Sequence, residues 1–282
     1  MNARTTTTRR TRLALAAATA LTSAALLTPT AASALTDHTP APSATKPTVV
    51  LVHGAWADGS GWNKVTQRLQ NDGYTVIAPA NPLRGVAGDA AYISSVLKTI
   101  DGPVVLAGHS YGGTVITNAA TGNPNVRALV YIAAFVPDTG ELQGELLAKY
   151  PGSLINDAIS PAPYTTPDGT TGTDLYLKPD KFRAAFAADL PRKETALMAA
   201  AQRPFTAAGF EEPTRTAAWH TIPSYGLVAT NDKAIPPALQ RWEYERAGFE
   251  KVVEARGASH VPFISQPDST VNLIKHADHA TR

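Results

Sequence analysis

Residues 104–115 read VVLAGHSYGGTV. A short apolar run enters Gly108-His109-Ser110-Tyr111-Gly112-Gly113, and a helix-forming segment follows. A continuous β-branched and aliphatic run suits a strand buried on both faces. Gly108 to Gly112 then matches G-x-S-x-G, a pattern that carries chemistry only between a strand and a helix. That context is met here. A sharp strand-to-helix turn forces its central residue into strained backbone angles, and glycines on either side leave room for it. The turn lifts a serine hydroxyl clear of the sheet and sets it beside a helix N-terminus, whose amides favour developing negative charge.

The chain on either side supplies the rest of such a sheet. TVVLV (48–52), YTVIA (74–78), PVVLA (103–107) and VRALVYIA (126–133) read as strands. Helical spacing lies between them, at 61–73 and in a segment opened by Asp89 over 89–100. Strands alternating with helices predict an α/β fold, a doubly wound and mostly parallel sheet with helices on both faces. The alternation stops near Pro137. Residues 138–216 are rich in Ala, Pro, Thr and Gly, with weak helices near 141–149, 179–188 and 191–202, and read as an inserted helical cap. The pattern resumes with SYGLVAT (224–230), a helix at 236–247, EKVVEA (250–255) and a closing helix at 267–279.

The first 34 residues differ from all of this. They hold four arginines, no acid, an Ala/Leu-rich run from Leu13 to Leu27 and then Ala32-Ser33-Ala34. This order reads as a secretory signal peptide cleaved near Ala34, by the general or the twin-arginine route given Arg9-Arg10. Leu35 to Lys46 reads as a flexible linker, so the expected globular domain is 47–282. The run is too short for a stable membrane anchor. Over the full 282 residues the net charge is +2, and without the leader 21 basic residues face 23 acidic ones. The basic balance therefore belongs to the leader, and nothing in the rest suggests a nucleic-acid partner. No obligatory protein partner is evident. The chain has no cysteine, which excludes thiol catalysis, disulfides and thiolate metal sites.

A serine hydroxyl is a weak nucleophile. It needs a base, and the base needs an acid to orient it. Of the seven histidines, His260 in RGASHVPF follows a strand and precedes the last helix. In a parallel sheet that is the carboxyl edge, where Ser110 also emerges. His109 flanks Ser110 with its ring expected to point away from the hydroxyl, and His276 and His279 lie on the last helix. The acid is Asp232 in TNDKAIPP, just past a strand, with Asp138 as the alternative because it too follows one. The chain order Ser110, Asp232, His260 suits the nucleophile-elbow architecture. The oxyanion of a tetrahedral intermediate needs amide donors. Tyr111 N–H is one. The other comes from LVHGAWADG, with Ala55 preferred and Trp56 second. Trp56 and Phe135, with Tyr111, Tyr164 and Phe205, are expected to line an apolar substrate pocket.

With VLVHGAW, GHSYGG, TNDKAIPP and GASHVPF in this order, residues 47–279 resemble the α/β-hydrolase superfamily. More narrowly they resemble small HGAW-type esterases, related to plant methylesterases and hydroxynitrile lyases. The resemblance implies Ser110 as nucleophile, Asp232 as acid, His260 as base, and Ala55 and Tyr111 as oxyanion donors. Gly54 and Gly112-Gly113 keep the hydrolase form, from which the lyase branch tends to depart. The resulting expectation is a secreted serine carboxylesterase, free of metal and organic cofactor, whose partner is a small to medium neutral ester. Lactone or amide hydrolysis, lipase action and perhydrolysis are alternatives on the same triad. A non-catalytic binding protein would predict a broken one.

Overall fold

The computed structural model describes residues 45–282. The expected leader and nearly all of the expected linker lie outside them. Six strands form one sheet: β1 (Thr48–Val52), β2 (Thr75–Ile77), β3 (Val104–His109), β4 (Val126–Ile132), β8 (Ser224–Ala229) and β9 (Lys251–Ala255). Their order is β2-β1-β3-β4-β8-β9, and every neighbouring pair is parallel. Helices α1 (Asn63–Asn71), α2 (Val86–Leu97), α3 (Tyr111–Ala119), α9 (Pro237–Arg246), α10 (Pro262–Ser265) and α11 (Pro267–Ala280) make the connections and close the chain. All six residues of β3 are buried, which is why its sequence shows no alternation. α2 begins at Val86 rather than at Asp89. The Asp89 side chain instead lies inside the helix and accepts the Arg84 N–H at 3.0 Å.

The strand order fixes where a ligand can sit. From β1 the chain moves outward to β2, crosses back to β3 on the other side of β1, and then proceeds through β4, β8 and β9. The winding reverses between β1 and β3. In an open parallel sheet a crevice forms at such a reversal, beyond the carboxyl ends of the two strands. The His53–Trp56 loop follows β1, and Ser110 follows β3.

The insertion between β4 and β8 is present, and it is not wholly helical. It carries α4 (Gln143–Ala148), α5 (Ile155–Ala158), α6 (Pro179–Phe186), α7 (Arg192–Ala201) and α8 (Ala208–Glu211). It also carries a three-stranded antiparallel sheet of β5 (Ile159–Thr165), β6 (Thr171–Leu177) and β7 (Phe205–Thr206). Two reciprocal backbone bonds close its neck: Gly140 N–H to Thr214 O at 2.8 Å and Thr214 N–H to Glu141 O at 3.0 Å. Further bonds dock it on the sheet. Trp56 Nε1–H donates to Leu175 O at 2.9 Å, Thr206 N–H to Leu83 O at 3.2 Å, and Leu154 N–H to Lys233 O at 2.7 Å. Among the described residues no helix is long and apolar enough to cross a membrane.

A buried acid beneath the cap has a measurable consequence. Glu243 on α9 is inaccessible to solvent, and its Oε1 accepts the Val136 N–H at 2.8 Å while Oε2 has no partner. Burial pushes its carboxyl up from about 4.5 to about 8, against the opposing pull of the Val136 amide and Arg246. The folded state therefore keeps a proton that the unfolded chain releases. Between these two values stability falls as pH rises, by on the order of a few kcal/mol. Glu243→Gln keeps the acceptor and removes the ionisation. We expect it to melt above the native protein at pH 8 and to lose that advantage toward pH 5. Melting curves that stay parallel across this range would show that Glu243 does not carry the effect.

Candidate active site

Ser110 occupies the turn between β3 and α3 with φ +56° and ψ −124°. Neighbouring backbone holds this strained geometry. Ser110 N–H donates to Ile132 O at 3.3 Å, and its carbonyl accepts from Gly113 N–H at 2.9 Å and Phe135 N–H at 3.3 Å. The flanking glycines are required by contact. A Cβ on Gly108 would meet Gly112 O at 2.5 Å, and one on Gly112 would meet Val52 O at 2.5 Å. The turn can exist only because two backbone segments pass without side chains between them.

The structure brings together the three residues expected to act in concert. Ser110 Oγ lies 2.8 Å from His260 Nε2, and His260 Nδ1 lies 2.7 Å from Asp232 Oδ2. His260 sits in the loop between β9 and α10, and Asp232 in the loop after β8. All three are at least nine-tenths buried. Asp232 is heavily supported. Its Oδ1 accepts Ala234 N–H at 2.7 Å and Ile235 N–H at 3.0 Å, and its Oδ2 also accepts Gln240 Nε2–H at 2.8 Å. It therefore shapes the turn into α9 and orients the histidine at once. Asp138, the alternative, lies at the surface with Oδ1 2.9 Å from His220 Nε2.

The loop after β1 runs directly past the serine. A Cβ on Gly54 would come within 2.7 Å of the Ser110 Cβ, so only glycine permits the approach. His53 sets the next peptide. Its Nε2 accepts the Asn81 N–H at 3.0 Å, which leaves the proton on Nδ1, and Nδ1–H donates to Gly54 O at 3.0 Å. With that carbonyl held, the Ala55 N–H on the same peptide is fixed too. Among the described residues neither the Ala55 nor the Tyr111 N–H donates to a protein group. Burial depresses the His53 imidazole to about 4, so it stays a neutral, single-tautomer strut at physiological pH.

His109 points away from the Ser110 hydroxyl, as the sequence suggests, yet it is not a bystander. Its Nε2–H donates to the His260 carbonyl at 2.8 Å, and the two rings lie 4.6 Å apart. Complete burial holds its imidazole well below the usual range, so it supports the neighbouring loop without adding charge. His276 and His279 are exposed on α11. Among the described residues there is no cluster of His, Asp and Glu suited to a metal ion.

Above Ser110 lies a narrow apolar cavity of about 20 Å³, room for about one water and far below the range of an open ligand site. Ala55, Trp56, Tyr111, Phe135 and Phe205 line it. Tyr164 does not. It lies on β5, half-buried, with Arg84 over its ring at 5.8 Å. Three residues that the sequence did not mark complete the site from the cap. Phe210 and Gln143 line the cavity, and Phe186 packs edge-on against the His260 ring at 4.9 Å. A run of aromatics in Ala- and Pro-rich sequence carries no period that would have singled them out.

The fold and this constellation define an α/β hydrolase. The model of the alpha/beta hydrolase family matches residues 49–273, and the chain belongs to that family. It is 28% identical over 248 residues to salicylic acid-binding protein 2 of Nicotiana tabacum, covering 77% of this chain and 92% of that one. It is 27% identical over 246 residues to alpha-hydroxynitrile lyase of Arabidopsis thaliana, covering 80% and 94%. Among solved structures, polyneuridine aldehyde esterase superposes with a TM-score of 0.72 at 22% identity, over 82% of this chain and 99% of that one.

Proposed function

We propose that this protein is a serine carboxylesterase acting on small to medium neutral esters. One observation carries the reading: the continuous line from Ser110 Oγ through His260 to Asp232, at 2.8 and 2.7 Å, opening into an apolar cavity beside two undonated amides. Ser110 Oγ attacks the ester carbonyl while His260 Nε2 takes its proton. The carbonyl oxygen becomes an oxyanion, and the Ala55 and Tyr111 N–H groups donate to it. His260 returns the proton to the departing alcohol. Water, deprotonated by His260, then attacks the acyl-enzyme and frees the acid and the serine. Asp232 accepts the Nδ1–H of His260 and so holds the proton there, leaving Nε2 to face Ser110 as an acceptor.

The tight apolar walls around the cavity favour a small acyl chain. With p-nitrophenyl esters of two to twelve carbons, we expect kcat/KM to peak among the short chains and to fall steeply at the longest. Absence of turnover at every length by folded protein would sink the esterase reading. A flat or rising profile would move the substrate outside this cavity.

A further inference from the structure

The polar groups that line the cavity are almost all committed. Trp56 Nε1–H donates to Leu175 O at 2.9 Å, and Tyr111 Oη–H to Asp89 Oδ2 at 2.8 Å. Ser110 and His260 bond each other. Gln143 on α4 is the exception among the side chains, the free Ala55 and Tyr111 amides being assigned to the oxyanion. Its side chain is buried, with 2% of the residue exposed, and lines the cavity. Its Nε2–H donates to Gly209 O at 3.1 Å. A carbonyl cannot donate, so this bond fixes which end of the amide is nitrogen. Oε1 is then the free end, and among the described residues it has no partner. A buried acceptor left unpaired forfeits its bond to water with nothing in return. An apolar side chain of similar shape would fill the same space without that cost.

We propose that Gln143 Oε1 reads a hydrogen-bond donor on the substrate. Resting on the esterase reading above, this names the substrate class: an ester, otherwise apolar, with a neutral O–H or N–H on its acyl or its alcohol arm. The donor is neutral because, among the described residues, no carboxylate lines the cavity. The nearby Asp89 and Asp232 are engaged in hydrogen bonds behind it, and an ammonium desolvated against a single amide oxygen would be strongly disfavoured. A site built to accept a bond from its substrate discriminates sharply against the analogue that lacks the donor, because its own buried group then stays unpaired.

The test compares matched esters on the native enzyme and on Gln143→Met. The acyl-arm series is ethyl esters of hydroxy acids and N-acetylamino acids, each against its O-methyl or N-methyl counterpart. The alcohol-arm series is monoacetates of short diols against their methyl ethers. Acid release is followed by pH-stat. We expect the native enzyme to favour the donor-bearing member of at least one pair by tenfold or more in kcat/KM. In Gln143→Met that ratio should collapse toward one. A merely structural role for Gln143 would lower both members together and leave the ratio standing, which would overturn the inference. Equal rates within every pair on the native enzyme would overturn it too, and would leave the esterase reading intact. Failure of the native enzyme to hydrolyse any ester would remove that reading, and this inference with it.

Discussion

Ser110→Ala is expected to lower ester turnover by on the order of 10⁶-fold, to the level left by binding and amide donors alone. The protein should stay folded. The hydroxyl makes one bond, to His260, and its loss leaves the backbone bonds of the turn in place. Ser110→Gly separates chemistry from strain. It removes the same nucleophile, but glycine adopts a φ of +56° freely, whereas serine and alanine do so at a cost of about 1–3 kcal/mol. After the extra chain entropy that glycine loses on folding, Ser110→Gly should be about 1 kcal/mol more stable than Ser110→Ala. Calorimetric melts of the two inactive variants check this. An Ala variant as stable as the Gly variant would mean that the turn stores no strain. Residual turnover within tenfold of native would remove Ser110 from the chemistry.

Asp232→Asn should cost on the order of 10⁴-fold in kcat with far less change in KM. The reason lies in the four donors that Asp232 accepts. An asparagine has one oxygen and one NH₂. If the oxygen stays with the Ala234 and Ile235 amides, the NH₂ faces His260 Nδ1 and the Gln240 amide. The imidazole must then accept at Nδ1 and carry its proton on Nε2, so it can no longer take one from Ser110. If the amide turns over, its NH₂ faces two backbone N–H groups in a buried turn. Either state is poor, and the first is inactive though the distances survive. Steady-state kinetics with a thermal melt distinguish them. A large loss of stability with kcat within tenfold of native would make Asp232 a turn-former only.

The central strands β1, β3, β4 and β8 were legible because they are buried almost throughout, and α1 because it turns Val65 and Leu69 inward; apolar spacing reports structure directly under these two conditions. The site was legible for a related reason. Ser110, Asp232 and His260 follow strands that end on one edge, so chain order alone brought them close. The cap was harder. β5 reads ISPAPYT, and proline argues against a strand. Pro161 and Pro163 are two residues apart, so their missing N–H groups fall on one side of the strand. β5 is the edge of its sheet, where one side needs no donor. The supports behind the site were invisible for another reason. Gln143, His53 and His109 act through the atoms they touch, and those partners lie far away in the chain or belong to the backbone.

The closed neck at Gly140, Glu141 and Thr214 has a consequence for how such a protein can change. Everything between Glu141 and Thr214 leaves and returns through a single pair of backbone bonds, while the triad and both oxyanion amides lie elsewhere in the chain. The segment is therefore a cassette. Exchanging it for another of different length would replace Gln143, Phe186, Phe205 and Phe210 in one event and leave the register of the six-stranded sheet undisturbed. The cap half of the cavity wall is thus carried on one stretch of sequence, while Trp56, Tyr111 and Phe135 on the sheet side stay in place, so part of the wall can be recombined or redesigned without rebuilding the Ser110–His260–Asp232 line.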